Sequence, residues 1–137
     1  MFCAGIIFMF YNLIVRAPKA KLVEEQLSTE FNLIRPFPRA VAIHSEKSSK
    51  DAQALVLTRY STDATYEEIQ AYYNTEFASH GWRYTSERRL TNWGRDLGKT
   101  SRYCRDQWSA ELEYLGPNSQ GKQEYDIALA WDGGDCK

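Results

Sequence analysis

The sequence predicts an α+β domain in two layers, a single helix packed on an antiparallel sheet in the order β-β-α-β-β-β, preceded by an N-terminal apolar helix. Three observations predict it. Short segments alternate apolar and polar residues; one well-capped helical segment falls between the second and third of them; and an uncharged apolar run, residues 2–15 (FCAGIIFMFYNLIV), precedes a charged, aromatic-rich remainder.

These features divide the chain into residues 1–16 as a membrane anchor, 17–36 as a stalk or linker, and 37–137 as the domain. Fourteen helical residues span about 21 Å, short of the roughly 30 Å hydrocarbon core. No basic residue precedes Arg16 and no small-residue cleavage site ends the run, so it does not read as a cleaved signal peptide. Only Asn12 offers a polar position, so it does not read as an amphipathic core helix either. A signal anchor, its first residues lying ahead of Met1, is the remaining reading. Cys3 has no lipobox before it.

Orientation is contested. Arg16, Lys19 and Lys21 would hold their flank in the cytoplasm. Cys104 and Cys136 form an even pair in a small domain, which suits an oxidising compartment. The cysteines are given precedence, and the domain is expected on the extracytoplasmic side.

Residues 19–27 (KAKLVEEQL) place Leu22, Val23 and Leu27 near one face and are expected to form a stalk helix after Pro18. Pro36 and Pro38 punctuate the entry to the domain. Residues 40–44 (AVAIH) and 52–60 (AQALVLTRY) read as strands, with the polar stretch 45–51 (SEKSSKD) as the loop between them. A helix over 66–79 is the clearest element. Thr65 with Glu68 three residues on fits a capping box, Ile69, Tyr73 and Phe77 repeat along one face, and Gly81 supplies the left-handed stop. Strands follow at 82–87, 108–115 and 125–131, with a glycine-containing loop at 90–99 and another at 116–121.

Folding the last two strands as a hairpin allows a register in which Cys104 lies directly opposite Cys136. Matching the apolar faces instead requires a register shifted by one residue, which turns the two cysteines to opposite faces. A bulge at Gly133–Gly134 would restore the pairing, so a Cys104–Cys136 disulfide is expected with one irregularity.

The sequence holds no P-loop, G-x-G-x-x-G or G-x-S-x-G motif, and neither His44 nor His80 has metal-ligand spacing. Both histidines read as structural, His80 complementing a helix C-terminus. Glu67 and Glu68 suit a helix N-terminus, and Glu111 and Glu113 a solvated face, better than paired-carboxylate catalysis. No catalytic residue, metal or cofactor is assigned.

Net charge is −1, but it is unevenly spread. Arg83, Arg88, Arg89, Arg95, Lys99, Arg102 and Arg105 face only Glu87 and Asp96 within residues 83–105, and acids dominate from Asp106 onward. Trp93 sits in the glycine-containing loop, and an aromatic at such a tip is a common interface anchor. Arg88, Arg89, Trp93, Arg95 and Lys99 are therefore the expected partner-binding residues.

The stretch 59–82, with Tyr60, Ser61-Thr62, the capped helix carrying Tyr72-Tyr73, and Gly81-Trp82, resembles small N-terminally membrane-anchored bacterial envelope domains of unknown function. The resemblance covers about twenty-five residues of core and capping chemistry, and it implies an exported, non-enzymatic domain. The expected activity is a membrane-tethered domain that binds a protein, in an immunity or inhibitor-type role. The alternative is a cytoplasm-facing domain that docks on anionic lipid or nucleic acid through the 83–105 stretch.

Overall fold

A computed structural model of the chain describes residues 17–92, 95–131 and Cys136. The elements run α1 (Ala17–Leu33), β1 (Ala40–Lys50), β2 (Gln53–Thr62), α2 (Tyr66–Ser79), β3 (Arg83–Asn92), β4 (Arg95–Arg105), β5 (Trp108–Pro117) and β6 (Gln123–Trp131). The strands form one antiparallel sheet in the order β1-β2-β6-β5-β4-β3. After the β1–β2 hairpin, α2 carries the chain across the sheet to its far edge. Three successive hairpins then return it, and β6 closes against β2. The α+β architecture is as expected.

The expected single helix on the sheet is corrected to two. Ala20, Val23 and Leu27 are spaced three and four apart, the spacing of a helix face, and all three are buried. α1 packs on β1, β2 and β6 in place of serving as a stalk. Both helices lie on the same side of the sheet: Lys19 of α1 stands over the Trp131 ring, and Phe77 of α2 stacks on Tyr103. Among the described residues no helix is long and apolar enough to cross a membrane, and the expected anchor, residues 1–16, lies outside them.

Two segments expected as loops are strands. Residues 45–50 continue β1, which is exposed over most of its length. An edge strand with little of its surface covered needs no apolar alternation, so a polar sequence suffices. The chain reverses at Asp51 and Ala52, where Asp51 takes φ +54°, a conformation that Asp tolerates better than most residues. Residues 90–92 and 95–99 belong to the β3–β4 hairpin, and among the described residues the sheet accordingly has six strands, one more than expected.

α2 starts as expected at Thr65, whose hydroxyl accepts from Glu68 N at 3.3 Å. The reciprocal half of the capping box is replaced, because the Glu68 carboxylate pairs with Arg39. The helix ends on Gly81 at φ +82°, with Trp82 N donating to Phe77 O at 3.0 Å.

The core lies between the helices and the sheet. Leu27, Ile69, Tyr73, Phe77, Leu112, Tyr125, Ile127 and Leu129 are essentially inaccessible to solvent. The two phenols at its centre are paired. The Tyr73 hydroxyl accepts from Phe37 N at 3.1 Å and lies 2.9 Å from the Tyr125 hydroxyl. Burial pushes both phenols far above their ordinary pKa, so both stay neutral. Replacing Tyr73 by Phe strands the buried Phe37 amide and the Tyr125 hydroxyl, and should cost about 1–3 kcal/mol in urea denaturation. An unchanged midpoint would mean that a rearranged contact or water takes over.

Candidate partner-binding surface

The helices cover one face of the sheet, and no described helix covers the other. On this open face the registers align one row across all six strands: Arg88, Thr100, Glu113, Asp126, Arg59 and His44. Asp126 is 5% exposed and is held by Arg59 through Nε at 2.8 Å and Nη2 at 3.0 Å, the two-pronged geometry that guanidinium and carboxylate favour. That bond holds the Arg59 pKa above its ordinary value.

Glu113 stands directly across from Asp126 and on the same face of β5 as Glu111. Partial burial, with the charges of Asp126 and Glu111, raises its pKa. The folded state thus binds the Glu113 proton more tightly than the unfolded chain does. Its contribution favours folding at low pH and is lost as pH rises from near 4.5 through the raised folded value. Glu113→Gln should therefore melt higher than the parent at neutral pH, with the gap closing below pH 4.5 in a series of thermal melts. A gap that persists at low pH would trace the gain to packing, not charge.

The sequence-predicted binding residues fall mainly along the β3–β4 hairpin. Arg88 is exposed on the open face, opposite Thr100. Lys99 projects to the helix face, its ammonium 4.6 Å from the Tyr66 ring centroid. Arg89 pairs in register with Lys99, and Arg95 with Asn92; Trp93 lies outside the described residues.

The basic stretch is thus divided between faces. Arg83, Arg88 and Arg102 share the open face, while Lys99 and Arg105 share the other. Arg105 is fully engaged: it pairs with Glu30 of α1 at 2.9 Å, donates to His80 O at 3.0 Å, and lies over Trp82 and Trp108.

The hairpin outgrows the sheet. Pairing of β4 with β5 stops at Lys99–Tyr114, whereas β3 and β4 stay paired through Leu90–Gly98 and Thr91–Asp96 to Asn92–Arg95. At the root of this ribbon the Gly98 backbone passes close enough to β5 that a Cβ would collide with the Tyr114 carbonyl. A two-stranded ribbon is marginally stable in water by itself. Sequence reasoning missed β4 because its inward positions, Lys99, Ser101 and Tyr103, show no apolar alternation until the last.

The surface depressions among the described residues are shallow. One of about 320 Å³ lies between α1 and β1, where Lys21 bonds Glu24 and holds its carboxyl below the ordinary range. Another, of about 210 Å³, lies at the ribbon root beside Lys99, Tyr114 and Pro117. Among the described residues, no group of three or more His, Cys, Asp or Glu side chains converges as metal ligands would. His44 lies 3.5 Å from Glu46, and His80 lies 3.2 Å from Glu76.

The expected disulfide is present, with Cys104 and Cys136 Cα atoms 5.5 Å apart. Its route differs from the one expected. β5 and β6 keep the register that matches their apolar faces, Leu112 opposite Ile127, and Cys104 sits one strand further out on β4. The bridge ties Cys136, past the end of β6, to β4, and opposition across the β5–β6 hairpin is not needed; Gly133 and Gly134 lie outside the described residues. Closing a loop of 32 residues should stabilise the fold by about 3–4 kcal/mol. Replacing both cysteines by Ser should lower stability by that amount in denaturant titration, and no change would mean the unfolded chain is equally compact without the link.

Comparison with protein-family models, curated protein sequences and solved structures finds no match for this chain.

Proposed function

We propose that the chain is a membrane-tethered, non-catalytic domain that binds a protein partner through the β3–β4 hairpin, with an immunity or inhibitor-type role as its concrete form. The observation that carries this reading is the ribbon beyond Lys99–Tyr114, which among the described residues has no third strand and bears Arg95, with Arg89 at its root. A marginal ribbon on a well-packed body is an arm that gains its order from a partner. The division of the basic residues between faces favours a protein over a uniform anionic surface. Binding to phosphate-rich surfaces improves when many cations converge on one side.

Tethering rests on the apolar run at residues 2–15, and the extracytoplasmic location on the Cys104–Cys136 bridge, which suits an oxidising compartment. With α1 packed on the sheet, the domain would sit directly at the bilayer and not at the end of a stalk.

A photo-crosslinking residue placed at Arg88 in living cells should give one discrete protein adduct, and the same residue at Ser28 none. Trp93→Ala should weaken that adduct while leaving the circular dichroism spectrum unchanged. Adducts confined to lipid or nucleic acid, or an equal yield from both positions, would overturn the reading.

A further inference from the structure

Among the described residues only β1 and β3 lack a strand on one side, so each presents a row of backbone amides and carbonyls that the described sheet does not use. The two edges differ in their charge. Along β1 the charges are matched locally: His44 faces Glu46 at 3.5 Å, and Lys47 adds its field to Lys21 around Glu24. Along β3, Arg83 and Arg88 are exposed on the open face and neither forms an ion pair or side-chain hydrogen bond with a described residue.

The helix face of β3 has a different chemistry. Tyr84 leaves 48% of its surface exposed while its ring packs edge-on against Tyr103 at 5.7 Å. Beside it Gln70 of α2 donates to Glu87 of β3, and Asn74 accepts from the Tyr103 hydroxyl, so the helix flank forms a polar wall above the edge. A bulge at Thr85, whose hydroxyl donates to Arg102 O at 3.1 Å, separates the first two residues of the strand from the regular stretch that starts at Ser86. From Ser86 to Asn92 the edge is long enough to template a strand of ordinary length, about 5–6 residues.

We infer that the free edge of β3 receives an extended segment of the partner protein as a seventh strand, with acidic side chains on the face of Arg83 and Arg88. The inference rests on the protein-binding reading above and supplies its mode. Backbone hydrogen bonds to the edge would give affinity, and the alternation of side chains would give selection. Every second residue of the segment meets the two arginines; the residues between them meet Tyr84 and the Gln70–Glu87 pair, where neutral hydrogen-bonding or aromatic side chains fit. The same strand would extend along the ribbon and order it, giving the marginal hairpin its third strand.

Two synthetic peptides of about eight residues test this, identical at alternate positions and carrying Glu in one and Lys in the other at the rest. They are added to the full chain in detergent, and amide hydrogen exchange is read residue by residue. The Glu peptide should slow exchange at Ser86–Arg88 by roughly tenfold or more, a protection that backbone pairing produces and loose charge attraction does not. The Lys peptide should have no effect. In the double variant Arg83→Glu, Arg88→Glu, which changes only exposed side chains, the preference should invert in favour of the Lys peptide. Protection by neither peptide, equal protection by both, or protection centred on β1 would overturn the inference. A discrete protein adduct from the Arg88 position together with no peptide protection would overturn strand addition alone and leave protein binding in place. Peptide protection without any protein adduct would do the reverse.

Discussion

The structure depends on the hydroxyl of Tyr73. It is the point at which α2, the segment leaving α1 and the central strand β6 are bonded to one another, through Phe37 N and the Tyr125 hydroxyl. Around it Tyr72, Phe77 and Tyr125 pack at ring-centroid distances of 5.1, 5.9 and 5.6 Å. A phenol in that position does two things an aliphatic side chain cannot. It satisfies a backbone amide that would otherwise be buried without a partner, and it fixes the angle of α2 relative to the strands. Both helices then occupy one face, and the outer strands β1 and β3 are left with free edges. The uncovered surfaces on which the functional reading rests follow from this packing.

Arg105 makes a second tie at another part of the same layer. Its guanidinium joins Glu30 of α1 to the carbonyl at the end of α2 and is covered by Trp82 and Trp108. A charge so enclosed is costly to bury and is tolerated because its donors are used and its faces are stacked on aromatic rings. The consequence for function is subtractive. Arg105, like Lys99 over Tyr66, is spent on the fold, so a count of basic residues between 83 and 105 overstates the charge offered to a partner. What remains on the open face is Arg83 and Arg88 at the edge with Arg102 on the neighbouring strand, then the acidic centre of Glu111, Glu113 and Asp126 with Arg59 beyond it. That gradient from basic edge to acidic middle favours an elongated ligand lying along the edge over one spread flat across the face.

What the sequence revealed depended on how strongly burial shapes each segment. The helix over 66–79, its Thr65 cap and its Gly81 stop were legible because core-facing Ile69, Tyr73 and Phe77 must recur at helical spacing. Strands β2, β5 and β6 were legible for the same reason, since Leu112 and Ile127 face one another from the core side. The rest of β1 and all of β4 were hidden. Positions such as Ser48 and Lys47 on an edge, or Lys99 and Ser101 beneath α2, carry no apolar signature, and the pairing that makes them strands is decided by their neighbours. α1 was misjudged because the narrow stripe of Ala20, Val23 and Leu27 is diluted by charges that turn outward. The cysteine pair was recognised from its parity in number, yet placing Cys104 required knowing that a further strand, β4, lies beyond β5. Of the candidate surface, the basic residues could be read only as a segment; their division between two faces is a property of register that composition cannot reveal.

The arrangement also bears on how an edge so open stays usable. Long free edges invite indiscriminate pairing, and this sheet limits them with irregularities at chosen places: a register shift near Ile43 on β1, and others near Thr85 and Leu97 along the β3–β4 pair. On β3 the first of these separates Arg83 and Tyr84 from the regular edge beyond Thr85, which carries Arg88. The Cys104–Cys136 bridge holds the end of β4 remote from the ribbon, where Cys104 pairs with Arg83 of β3. A rigid root with a marginal tip is the mechanical condition for selective strand addition. The body supplies a fixed register against which an incoming segment can be read, and the two-stranded ribbon gains from that segment a third strand. Selectivity then comes from the side-chain alternation the fixed root imposes, because a segment out of phase by one residue would set its acids against Tyr84 and Glu87 in place of the two arginines.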